Sequence, residues 1–193
     1  MNFDTYLAYH KSIVDKNPED LPLPYSKPDY YNYTKLNWSR SNRWLKKAKL
    51  SEEVIHLMSE IREPQQWIII TEPWCGDAAH SVPFLHLMSQ LNPLITVDYE
   101  LRDAKPFRIN DYLTRNGKSI PKLIIRDTAG NDLATWGPRP EASQKIYDEL
   151  MAITADVETT KTALQNGYNE DAGKEVQKEI ASLLKRVAYK NKI

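Results

Sequence analysis

Trp67-Ile68-Ile69-Ile70-Thr71-Glu72-Pro73-Trp74-Cys75-Gly76-Asp77-Ala78-Ala79-His80-Ser81-Val82-Pro83 decides how this chain folds. Trp67 to Thr71 is a short β-branched run between turn-prone residues, which reads as a fully buried strand of a parallel sheet. Beyond Pro73 the period changes. Val82, Leu85, Leu87 and Met88 recur at helical spacing, so a helix is expected over Asp77 to Leu91. Cys75 stands at the junction and is the only cysteine in the chain. That excludes an intrachain disulfide, a CxxC pair and a multi-cysteine metal site. A lone cysteine is most often an inert, buried small hydrophobe, and only its surroundings can argue for more.

Downstream, Leu94 to Leu101 returns to strand, with Ile95, Val97 and Tyr99 on one face. A short helix is expected around Arg108 to Arg115, then a strand from Lys122 to Arg126. Ala129-Gly130-Asn131-Asp132 turns the chain back into a strand from Leu133 to Trp136. Glu141 to Ile153 supplies a closing helix with Ile146, Tyr147 and Leu150 inward. The order strand, helix, strand, helix, strand, strand, helix implies an α/β domain with a mixed central sheet covered by helices and right-handed crossovers. Further on, Val176, Ile180, Leu183, Leu184 and Val187 form the apolar stripe of a C-terminal helix that is expected to dock on the domain.

Upstream, Phe3, Tyr6, Leu7, His10, Ile13 and Val14 mark an amphipathic opening helix that Pro18 ends. Asn17 to Tyr33 carries Pro18, Pro22, Pro24 and Pro28 among four tyrosines, which suits an extended segment lying over a surface. Thr34 is read as the cap of a short helix bearing Leu36, Trp38, Trp44 and Leu45. Ser51, followed by Glu53 and Val54, marks the next helix start, and Pro64 closes that helix. The expected organisation is an N-terminal extension over residues 1–64, a central domain over 65–154 and a helical extension over 155–193.

Lysine plus arginine and aspartate plus glutamate number 26 each, so no global field steers the chain toward nucleic acid or an acidic membrane. No run approaches the ~20 apolar residues of a membrane span, and the opening residues lack a basic start followed by an apolar stretch, so a cytoplasmic location is expected.

The element order and its punctuation resemble the thioredoxin fold. Trp74-Cys75-Gly76 follows the first strand and opens the helix, as in the thioredoxin active-site signature. Pro83 sits eight residues after Cys75, where thioredoxins kink the same helix. Ile120-Pro121 precedes a strand where the family has its cis-proline loop, and Gly137 follows the hairpin where a family glycine lies. The resemblance covers residues 67–153. Two departures matter. Ala78 stands where thioredoxins have their second cysteine, with Gly76 and Asp77 between it and Cys75. Ile69 stands where they bury an aspartate that serves the second thiol.

The resemblance implies a site built of Cys75 as nucleophile, with Trp74, Gly76, Asp77, Ile120 and Pro121 framing a substrate backbone. At a helix N-terminus, the macrodipole and free N–H groups should lower the thiol's pKa below the ~8.5 of free cysteine. Asp77 in the same turn opposes that by repulsion and by competing for the donors. Without a second cysteine, attack on a disulfide stops at the mixed disulfide until an external thiol, such as glutathione, resolves it. No cofactor or metal is implied. The peroxiredoxin PxxxTxxC pattern is absent. Trp74 is read either as an apolar lip or as plain packing on the strand end, and His80 and His86 as ordinary histidines. Arg40, Arg43, Lys46, Lys47 and Lys49, with Trp38 and Trp44, form the one local basic cluster. It reads as a solvated helix face or as a receiver for an anionic substrate tail, a role open also to Arg126 and Arg139. Two functions stay open: monothiol exchange with protein or small-molecule thiols and disulfides, or a redox-inactive module that binds a peptide or protein.

Overall fold

A computed structural model describes residues 1–190, so the last three positions of the expected 155–193 extension lie outside the described residues. Four strands form one sheet: β1 (Gln65–Thr71), β2 (Ile95–Leu101), β3 (Lys122–Arg126) and β4 (Asp132–Trp136). Their order is β2-β1-β3-β4. β1 runs parallel to β2, with Trp67 opposite Val97, and antiparallel to β3, with Ile68 opposite Ile124. β4 pairs antiparallel with β3. Trp67 to Ile70 are no more than 1% exposed, so β1 is covered on both faces, which is why it reads as an unbroken apolar run rather than an alternating one.

Helix α4 (Gly76–Ser89) follows β1 after a four-residue corner and carries Pro83 in its interior. The opening helix α1 (Phe3–Val14) is capped by Asn2, whose Oδ1 accepts from the Thr5 N–H at 2.9 Å. Next comes a correction. The tyrosine-rich stretch is not extended up to Tyr33: α2 (Pro28–Lys47) begins six residues before Thr34 and is one 20-residue helix packed on α4. Proline at the first helical position loses no internal bond and arrives with its φ already helical, so Pro28 starts a helix rather than preventing one. Thr34 lies buried inside it, donating from Oγ1 to the Tyr30 carbonyl at 2.7 Å. Ser51 does cap a helix, α3 (Glu52–Ser59).

A second difference lies between β2 and β3, where the expected helix shrinks to a 3-10 turn at Arg108–Asp111. Phe107, Arg115 and Asn116 all take positive φ there, which α-helical continuation forbids. After β4 come α5 (Glu141–Ala152), α6 (Val157–Asp171) and α7 (Lys174–Lys190). The α7 stripe is buried, with Val176, Ile180 and Leu184 at 4% or less. Glu179 on that helix receives the Trp136 indole N–H and the Glu141 backbone N–H, both at 2.6 Å, which fastens α7 to the end of β4. No described helix is long and apolar enough to cross a membrane.

Gly137, just past β4, has a φ of +112°, and a Cβ there would collide with the Pro121 carbonyl oxygen. Gly137→Ala should therefore lower stability by about 2 kcal/mol or more, seen as a fall in the urea midpoint; an unchanged midpoint would contradict the close approach. Burial also holds His10, His80 and His86 neutral, with pKa values pushed down to about 4. Unfolding returns them to ordinary values near 6.5, so the unfolded chain binds protons in this window that the folded chain does not, and their contribution is lost as pH falls from about 6.5 toward 4. Denaturation midpoints at pH 7 and pH 5 check this, and His80→Gln should flatten the difference.

Candidate functional site

β1 ends at Thr71, and the corner Glu72-Pro73-Trp74 brings Cys75 to the N-cap position of α4. Tyr25 holds that corner by donating its hydroxyl to Glu72 at 3.0 Å, and Asn37 of α2 donates to the Pro73 carbonyl at 3.0 Å. The sulfur stands where the sequence puts it, at the mouth of a helix and facing the Ile120-Pro121 loop. Sγ accepts from the Ala78 N–H at 3.4 Å and donates to the Ile120 carbonyl at 3.3 Å. The Ile120–Pro121 peptide is cis.

The thiol is not the acidic group the helix terminus alone predicts. Cys75 is 7% exposed, and its pKa is pushed up to about 12. Burial is the main cause, Asp77 adds to it, and the Ala78 N–H and the Arg139 charge only partly offset them. What the local sequence does not contain is the roof. Tyr33 of α2 lies over Gly76 so closely that a Cβ there would meet its hydroxyl at 2.7 Å. From the other side Asp77 is held by two segments. Its Oδ2 accepts from Arg139 at 2.6 and 3.1 Å, and its Oδ1 accepts from the Tyr168 hydroxyl of α6 at 2.7 Å.

Beside this roof lies a cleft of about 440 Å³ between α2, the start of α4 and α6, walled by Tyr30, Tyr33, Trp74, Leu164 and Tyr168. Four of the six expected site residues, Trp74, Cys75, Gly76 and Asp77, border it together. Trp74 is flanked by Tyr30, edge-on at 5.8 Å, and by the Arg102 guanidinium at 4.6 Å. Ile120 and Pro121 do not border it. Both are buried, and the Ile120 carbonyl accepts from the thiol.

His80 lines the cleft floor with both ring nitrogens engaged. Nδ1 accepts from the Trp44 indole at 2.9 Å, which leaves Nε2 to donate to Gln165 at 3.1 Å, and the ring stacks on Tyr168 at 4.5 Å. It is a structural histidine that orients α6. Ala78 and Ile69, at the positions of the missing thiol and acid, are 2% and 0% exposed inside apolar packing.

Sequence reasoning missed the walls of the cleft. Tyr30 and Tyr33 lie one turn apart on a helix whose signal was Pro28-Asp29. Tyr168 belongs to α6, whose one clear sequence signal is its cap: Asp156 accepts from the Thr159 N–H at 2.9 Å.

A family model described as thioredoxin matches residues 25–155. No curated protein matches the chain significantly. Among solved structures, an HIV epitope-scaffold (4E10) is similar with a TM-score of 0.54 and 14% identity, over 96% of this chain and 98% of that one. A protein of unknown function from Pseudomonas aeruginosa has a TM-score of 0.49 and 16% identity, over 89% and 92% of the two chains. At such identities the scaffold speaks for the fold alone. The family match spans more than half of the sequence and contains the strand, the cysteine junction, the Ile120-Pro121 loop and the hairpin, and the chain therefore belongs to the thioredoxin family.

Proposed function

We propose that this protein is a ligand-binding module on the thioredoxin fold, redox-inactive at rest, whose ligand lodges in the cleft between α2 and α6. The observation that carries this reading is the state of Cys75. Its sulfur is buried, engaged on both sides and un-ionised at physiological pH, while the space next to it is open and lined by aromatic rings. A nucleophilic thiol needs the opposite arrangement, ionised and exposed. The cleft volume falls within the ~300–1,000 Å³ typical of small-molecule sites, and its mainly apolar walls with a few polar groups are the usual composition of such sites.

A second reading, monothiol exchange, is favoured by one specific feature: Cys75 itself forms part of the cleft wall. Were α6 to swing away, the Asp77–Tyr168 contact would break and the cleft beside Cys75 would widen. The thiolate would then attack a disulfide, release one thiolate as leaving group and remain in a mixed disulfide until an external thiol such as glutathione displaced it.

Two measurements separate these readings. At pH 8 the native protein should react with iodoacetamide at least about a hundredfold more slowly than free cysteine, because almost none of the thiol is ionised. A rate close to that of free cysteine, with a midpoint near 8.5, would support exchange instead. The neutral dye N-phenyl-1-naphthylamine should bind the wild-type protein and Cys75→Ser alike, and should lose at least about tenfold in affinity when Leu164→Trp fills the cleft. Binding indifferent to Leu164→Trp, in a variant whose fold is intact by circular dichroism, would refute the cleft as the ligand site.

A further inference from the structure

The geometry points to an amphiphilic ligand for this cleft: a planar or apolar body carrying an anionic head group, with the head at the end formed by His80, Lys161 and Gln165. This rests on the binding-module reading and adds the ligand's chemical class to it.

Two arginines of α2 lack a counter-charge. Arg40 is 8% exposed, and its guanidinium stands 4.9 Å from the centre of the Tyr33 ring, the ring that walls the cleft. Arg43 lies 4.4 Å from the Trp44 ring centre. Each finds only a neutral side-chain acceptor: Arg40 donates to the Asn37 amide oxygen at 2.8 Å and Arg43 to that of Asn169 at 2.6 Å. Among the described residues neither guanidinium makes an ion pair, and the Nε of each is buried without an acceptor. Buried charge left without a counter-charge is costly, as at Arg40, and the half-buried Arg43 adds a second unpaired charge three residues further along α2.

Other charges do not cancel them. Asp77 is consumed by Arg139 and Tyr168. Lys161 lines the cleft, with its ammonium 4.8 Å from the Tyr33 ring centre, and its partner Glu158 is 81% exposed, where solvent screens it. Asp29, the other acid at the cleft, is exposed and lies one residue from Tyr30, three helical turns from Arg40. His80 responds to the same field: burial lowers its proton affinity most, and the Arg40 and Arg43 charges lower it further.

The two ends of the cleft therefore differ. Toward Tyr30, Trp74 and Val157 the walls are apolar and aromatic apart from the exposed Asp29. Toward Gln165, which bonds both His80 and Asn169, the surroundings are polar and carry excess positive charge. A carboxylate, sulfonate or phosphate at that end would meet Lys161 directly and supply, across the Tyr33 ring, the counter-charge that Arg40 lacks, while Arg43 adds to the positive field at His80. The aromatic end would take the body.

Two dyes with the same ring system test this. 8-Anilino-1-naphthalenesulfonate carries a sulfonate and N-phenyl-1-naphthylamine does not. The sulfonate dye should bind wild-type protein at least about tenfold more tightly, and Arg43→Gln with Lys161→Gln should erase most of that preference. Both substituted side chains are partly exposed, so the fold does not depend on them as it does on Arg40. Equal affinities in the wild type, or a preference that survives the double substitution, would overturn the anionic head group. If the neutral dye is displaced by Leu164→Trp while the sulfonate gains nothing, this inference alone fails. If neither dye responds to Leu164→Trp, the binding-module reading fails with it.

Discussion

Asp77, one residue into α4, is the carboxylate on which the arrangement over the sulfur depends. It joins three segments that are far apart in sequence: the first turn of α4, the loop after β4 through Arg139, and α6 through Tyr168. Arg139 is itself held flat against Tyr147, 4.4 Å from the ring centre, and bonded to Gln144 of α5. Loss of either partner would leave a charge largely shut away from water, which typically costs about 3–5 kcal/mol, whereas the intact pair adds less to net stability than its short distances suggest. Its main effect is therefore positional. It fixes α6 beside the start of α4, and with α6 in place one wall of the cleft is determined.

The same carboxylate decides the electrostatics of the thiol. A helix N-terminus is worth at most about 2 kcal/mol to a negative charge at its mouth. Each tenfold change in acidity takes about 1.4 kcal/mol, so the helix end offsets only part of the burial, and with its N–H groups in contact the thiol is still pushed up to about 12. Burial works against ionisation from one side and Asp77 from the other. In an open site a WCG corner at a strand–helix junction favours the thiolate; here an identical corner is covered and the balance inverts. Nothing within the tripeptide itself distinguishes these outcomes.

Legibility in the sequence followed the range of the interactions. β1 was readable because four consecutive residues are buried on both faces, a pattern written locally in Trp67 to Ile70. Pro83 and the Ile120-Pro121 pair were readable because proline constrains its own backbone wherever it stands. The extent of α2 was not, because a proline-rich run dominated the signal while Pro28 alone marked the change to helix. α6 was invisible to periodicity, since its buried positions are Thr160 and Tyr168 and no regular aliphatic stripe runs along it. Both helices that wall the cleft thus lay in the segments with the weakest local signal. The corner they cover had the strongest, so the position of the sulfur was foreseen and its environment was not.

That division has a consequence for where specificity resides. The sheet, α4 and the Ile120-Pro121 loop supply the family framework, and the two positions that would complete a dithiol cycle, Ala78 and Ile69, are filled by apolar side chains packed in the core. With one cysteine in the chain, no intrachain dithiol cycle can close at this corner. The features that vary the chemistry at that corner come from elsewhere: the rings of Tyr30 and Tyr33, the charges of Arg40 and Arg43, and the Tyr168 and Lys161 face of α6, which lies beyond the matched residues 25–155. The framework thus fixes one wall of the cleft, and the two helices set the shape and charge of the other.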